Sequence, residues 1–125
     1  MHCNYETEYD SRNVSGYSYT IRRISLARRM RFLAQNHDLI QELRFLSATP
    51  DPTHQEKTEI AQLELELSQH LLEECLLKFG ETPNLDPVDE DRIEWLLTEA
   101  PSGLCVEILA HISEEISLSE LRRKN

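Results

Sequence analysis

Glycine, proline and cysteine are all scarce in this chain: three, five and three in 125 residues. So few turn-formers argue against a β-sandwich or barrel, whose short strands each need a turn, and against a disordered tail protein. The cysteines are odd in number, and Cys3, Cys75 and Cys105 lie far apart with no CxxC pair. That argues against a disulfide framework and favours a reducing compartment. No apolar run approaches the roughly 18 residues of a membrane span. Met1 to Glu6 lacks the basic and apolar regions of a signal peptide, so the expected location is the cytoplasm. Gly-rich phosphate loops, GxSxG and HExxH motifs are missing too, so no enzyme, cofactor or metal site is expected. What remains is an ordinary mix, 39% hydrophobic and 29% charged, of a length that makes one domain.

The net charge is −10, and its distribution is uneven. Residues 22 to 44 carry Arg22, Arg23, Arg28, Arg29, Arg31 and Arg44 against Asp38 and Glu42, a net +4. Residues 51 to 120 carry 18 acids against Lys57, Lys78 and Arg92, a net −15. An acidic field repels nucleic acid and anionic membrane, so neither is an expected partner. One basic segment inside an acidic chain suggests a contact within the domain or with another protein.

Periodicity predicts a mainly α fold: about four helices, a long antiparallel helical hairpin and a short N-terminal β-strand or hairpin. Residues 1 to 16 read as a flexible arm and residues 17 to 125 as a single helical domain. Tyr17 to Ile24 alternates in β-forming residues and predicts a strand. Its partner is expected from residues 3 to 12 or from another subunit. Ser25 is a plausible cap for one long helix ending near Ser47, before Pro50 and Pro52. Leu26, Met30, Leu33, His37, Ile40, Leu43 and Leu46 share its expected core stripe, widened by Phe32, Leu39 and Phe45. Thr53 and Glu56 form a capping-box pattern for a second helix reaching Phe79, with Gly80 as terminator. That helix is apolar on more than one face, so it lies centrally or offers a face to another chain. Residues 81 to 86 read as a linker, Asp86-Pro87 as the start of a third helix, and Pro101-Ser102 as its end and the cap of a fourth. Ser117 to Glu120 repeats the capping-box pattern.

Chemistry-bearing residues are few. His70 and Glu74 share a helix face and could supply two metal ligands, but a site needs three or four. Asp89-Glu90-Asp91 matches a helix N-terminus, not a calcium loop. Cys105 and His111 are six apart on a helix, so their side chains diverge. Tyr17 and Tyr19 beside the arginines could stack single-stranded bases, yet they serve equally well as strand packers.

The order of features carries a resemblance. Tyr19 to Ser25 runs into the arginine-rich helix Leu26 to Leu46, and a long acidic helix follows. Ile93 to Leu104, with its Leu96-Leu97 and Pro101 junction, leads into Val106 to Ile112. The chain closes with Leu118-Ser119-Glu120-Leu121-Arg122-Arg123-Lys124-Asn125. From residue 19 to 125 this resembles the small tail assembly chaperone-like proteins of tailed bacteriophages and prophages. The resemblance implies a non-enzymatic protein of the host bacterial cytoplasm. It would bind tape-measure and tail-tube proteins during tail morphogenesis and keep apolar helices soluble until the tube forms. The expected contact residues are Arg22, Arg23, Arg28, Arg29 and Arg31 for an acidic partner, and Leu65, Leu72 and Leu76 for an apolar one. Self-association is expected from the lone strand and the two-faced helix. The rival reading is a small acidic regulator or inhibitor, of anti-defence or DNA-mimic type, acting by protein–protein binding.

Overall fold

The computed structural model describes residues 5–116. It corrects the expectation of a helical domain with one strand or hairpin. Among the described residues there are five helices and a four-stranded antiparallel sheet of order β1-β2-β3-β4. The strands are β1 (Glu6–Asp10), β2 (Tyr17–Arg22), β3 (Leu76–Glu81) and β4 (Asn84–Pro87). The helices are α1 (Leu26–Gln35), α2 (His37–Ser47), α3 (His54–Cys75), α4 (Glu90–Thr98) and α5 (Ser102–Ile116).

The N-terminal segment is part of the sheet from residue 6, where a loose arm was expected. β1 pairs with β2 from Glu6↔Arg22 to Asp10↔Ser18, so the partner of β2 comes from the same chain. Gly16, at φ +89°, supplies the left-handed residue that closes the hairpin. β3 covers the other edge of β2, and this second pairing overturns the helical expectation for residues 76 to 79. The ladder slips between Thr20 and Ile21: Thr20 faces Lys78, but Ile21 faces Leu76, leaving Leu77 as the extra residue of a bulge. Leu76 and Phe79 therefore both point into the core although they are three residues apart, a spacing that reads as helical.

Gly80 is needed where two backbones approach, not as a helix terminator. A Cβ there would lie 2.6 Å from the carbonyl oxygen of Asn84. The expected linker is the β3–β4 turn with β4. Asp86 pairs with Arg92 across 3.8 Å, and the cap of α4 is Asp89, whose carboxylate accepts from the Arg92 backbone N–H at 2.8 Å.

The expected first helix is two. Asn36, with φ −108° and ψ 16°, leaves the helical path between α1 and α2. Its side-chain amide donates to the Phe32 carbonyl at 2.9 Å, and its Oδ1 lies 2.6 Å from His70 Nδ1 on α3. The break splits the expected core stripe. Ile40, Leu43 and Leu46 on α2 are buried, whereas Leu26 and Met30 on α1 face solvent and Phe32 takes the inward place.

α3 begins with the capping box: Thr53 Oγ1 accepts from the Glu56 N–H at 3.1 Å and Glu56 Oε1 from the Thr53 N–H at 2.9 Å. It is apolar on two faces because it is the central helix, packed against α2, α4 and α5. Leu67, Leu71, Leu72 and Cys75 are buried along it. α5 contributes Leu104, Cys105, Ile108, Ile112 and Ile116 to the same core, which Tyr19, Ile21, Leu76 and Phe79 complete from the sheet. The capping-box pattern at Ser117 to Glu120 lies outside the described residues.

Gly80→Ala should destabilise the chain by about 1–3 kcal/mol, because the neighbour that would have to yield is backbone. Urea unfolding of both proteins measures this, and an unchanged midpoint would contradict the close approach.

Candidate functional site

The densest polar cluster is centred on Glu107 of α5. Its Oε1 accepts from Ser11 Oγ at 3.1 Å and from the backbone N–H groups of Arg12 and Asn13, each at 3.0 Å. Its Oε2 accepts from the Tyr19 hydroxyl at 2.7 Å. Asn13 Nδ2 donates to the Gly103 carbonyl at 3.1 Å, so the β1–β2 loop is fastened to α5 at two points. Tyr9, Tyr19 and His111 form a three-ring cluster: Tyr9 stacks on Tyr19 and on His111, with ring centroids 5.5 and 4.2 Å away, and Tyr19 and His111 are 6.0 Å apart. Tyrosine, histidine and glutamate together resemble catalytic furniture. Here the carboxylate is filled by four donors and has no role left as a base. Burial, then the bond to Glu107, pushes the Tyr19 phenol far up, so it stays a neutral donor. For Glu107, burial acts to raise its pKa, but the bonds from Tyr19, Asn13, Ser11 and Arg12 outweigh it and hold the carboxyl below its usual range.

The other candidate groups are similarly engaged. Burial, reinforced by the Glu74 charge, pushes the Cys75 thiol up to about 12, and burial raises Cys105, the opposite of an activated nucleophile. His70 turns to Asn36, and Glu74 pairs with Arg28 at 3.1 Å, so the two do not share a ligand site. No group of three or more metal-ligating side chains occurs among the described residues.

The arginine segment divides into two sets. Arg22 Nε donates to the Glu74 carbonyl at 3.2 Å, and Arg28 binds the Glu74 carboxylate. Arg29 Nε donates to the Ile116 carbonyl at 2.7 Å, a cation at the end of α5 where the helix dipole favours one. Arg28 and Arg29 hold α1 against the domain, while Arg22, at the end of β2, ties that strand to α3. Arg23 and Arg31 are exposed, and among the described residues neither guanidinium has an ion-pair partner.

Between them lies an inverted helix face. At 100° per residue, Leu26, Ala27, Met30 and Ala34 fall opposite Phe32. All four are exposed, Leu26 at 70% and Met30 at 59%. The result is an apolar ridge about 12 Å long with Arg31 beside it and Arg23 in the segment before it.

A second surface is the groove between α3 and α4, about 410 Å³ in volume. Its apolar floor is Leu65, Ile93 and Leu97, and Glu73, Glu90 and Glu94 stand along its rim. Leu65 is 52% exposed, so it can meet a partner. Leu72 and Leu76 cannot: at 0% and 4% exposure they are core residues, covered because α3 is central and because Leu76 begins β3. Sequence periodicity missed Leu26 and Met30 as surface residues and the α4 side of the groove. The available signal for α1 was its excess of apolar residues on two sides.

No family model matches the chain, and neither the curated proteins nor the solved structures contain a match to it. Among the described residues, no helix is long and apolar enough to cross a membrane.

The Glu107 cluster predicts a pH response. A carboxyl held low in the fold contributes stability that is complete above its unfolded value near ~4.3 and is lost as pH falls through the folded value. Glu107→Gln should therefore flatten the acid limb of the stability profile between about pH 5 and pH 2. Urea midpoints over that range measure it, and parallel curves for the two proteins would contradict the four-donor arrangement.

Proposed function

We propose that this chain is a protein-binding component that works without catalysis, lending the outer face of α1 to a helical segment of a partner and keeping that segment soluble. The observation that carries the reading is the outward orientation of Leu26 and Met30 on a helix that its arginines Arg28 and Arg29 anchor from behind. Burying each of those two side chains under a partner is worth roughly 1.5–3 kcal/mol, enough for a reversible contact. The −10 net charge opposes non-specific precipitation of a molecule with such a ridge. Helix-on-helix docking is the mode that suits a straight ridge with small residues, Ala27 and Ala34, beside the large ones.

The specific form of the reading is phage tail assembly. Its support is the resemblance of residues 19 to 125 to tail assembly chaperone-like proteins, whose clients are the phage tape-measure and tail-tube proteins in the host bacterial cytoplasm. The rival reading, an acidic regulator binding a basic protein, draws its support from the acidic rim of the α3–α4 groove.

Co-expression with an apolar tape-measure fragment tests the proposal. The fragment should be soluble with the native chain and mostly insoluble with L26S/M30S, whose exposed substitutions should leave the fold's thermal unfolding within a few degrees of the native chain. A fragment equally insoluble with and without the native chain would overturn the chaperone reading. Equal rescue by L26S/M30S would remove α1 from it.

A further inference from the structure

The ridge and the groove are complementary to each other. The ridge is apolar, with exposed Arg31 beside it on α1 and exposed Arg23 in the segment leading into α1. The groove is apolar with Glu73, Glu90 and Glu94 along its rim. We propose that copies of this chain associate head to tail, with α1 of one copy seated in the α3–α4 groove of the next.

The occupant of the groove is a second copy for three reasons. First, α1 cannot reach its own groove, because Phe32 faces its own core and Leu26 and Met30 point the opposite way. Second, the symmetric alternatives oppose like charges. Two α1 ridges face to face would bring the Arg23 and Arg31 pairs together, and two grooves would bring six glutamates together; neither arrangement holds an opposite charge at its margin. Third, the shapes agree. The groove is walled by one helical row from α3 and one from α4, and a helix presenting anchors four residues apart, Leu26 and Met30, fits such a channel. The contact uses different patches on the two copies, so each copy keeps one unsatisfied face and can add another. The assembly therefore grows past a dimer and weakens with salt, since its margins are ion pairs near solvent.

This inference shares α1 with the proposed function but needs no foreign partner. A client that binds α1 would cap growth by competing with the groove. If assembly fails while a client is still solubilised through α1, only the head-to-tail contact is lost.

Sedimentation velocity on the full chain from about 10 to about 500 μM tests it over the range of weak affinities. The native chain should exceed two copies at the top of that range and shift toward monomer in about 0.5 M salt. The ridge variant L26E/M30E and the groove variant L65R/E94R should each remain monomeric while keeping a native circular-dichroism spectrum. Mixed in equal amounts, they should form a dimer and nothing larger, because one keeps only its groove and the other only its ridge. If either pair of charges unfolds the chain, M30Q and L65Q serve in the same mixture. A native chain that stays monomeric throughout, a ridge variant that still self-associates, or a mixture that does not pair would each overturn the proposal.

Discussion

The buried amide of Asn36 decides how this molecule meets its surroundings. One end of the amide holds the carbonyl of Phe32 and the other holds His70 of α3, so the helix is broken and the break is fixed to the central helix. An unbroken helix would carry Leu26, Met30, Leu33, His37 and Ile40 along one inward stripe. With the break, Ile40 on α2 stays in the core while Leu26 and Met30 on α1 turn outward; Leu33 packs half-buried against the core and His37 is exposed. The chain gains an exposed apolar ridge without losing core, because Phe32 fills the space α1 would otherwise leave empty. The arginines then have a clear division of labour. Arg28 and Arg29 reach across to Glu74 and to the end of α5, which stops α1 from swinging back, Arg22 ties β2 to α3, and Arg23 and Arg31 remain exposed.

The other half of the molecule makes that device possible by being well tied down. β2 is covered on both edges, and Ser18, Tyr19, Thr20 and Ile21 are all buried. Glu107 fastens the β1–β2 loop to α5 through four donors, and Arg92 fastens α4 to β3. Arg92 donates to the Phe79 carbonyl at 2.6 Å and lies 4.1 Å over the Phe79 ring. These ties are short-range and mostly inside the domain, so they hold at any salt concentration that leaves the fold intact. The surface charges are different in kind. They lie at the margins of two apolar patches, where salt and a competing partner can both act on them.

Much of the helical layer was legible in sequence. The Thr53–Glu56 box, the Pro101 stop and the apolar face of α5 each follow from local chemistry that no tertiary contact overrides. The sheet was less legible for identifiable reasons. The bulge at Leu77 spaces the inward residues of β3 by three, so the strand imitates one more turn of α3. Gly80 looks like a helix terminator, while its real task, admitting the backbone of Asn84, depends on a pairing that sequence does not display. Asp86-Pro87 has the form of a helix start, but the true cap is three residues later at Asp89. The candidate site divides the same way. Arg23, Arg31 and Leu65 stand where a partner can reach them, whereas Leu72 and Leu76 were indistinguishable from them by spacing and lie in the core.

The account stands on the direction in which α1 faces, and thiol accessibility reads that direction. Single cysteines placed at position 30 (Met30→Cys) and position 32 (Phe32→Cys), with Cys3 replaced by serine, can be labelled in the folded chain at about 1 μM, where weak contacts between copies are dissociated. Buried Cys75 and Cys105 serve as internal slow references. The account predicts that position 30 reacts nearly as fast as in the unfolded chain and position 32 at least about 100-fold more slowly, since labelling there requires local opening. Protection at position 30 equal to that at position 32 would contradict it, and would mean that α1 turns its apolar ridge to the core.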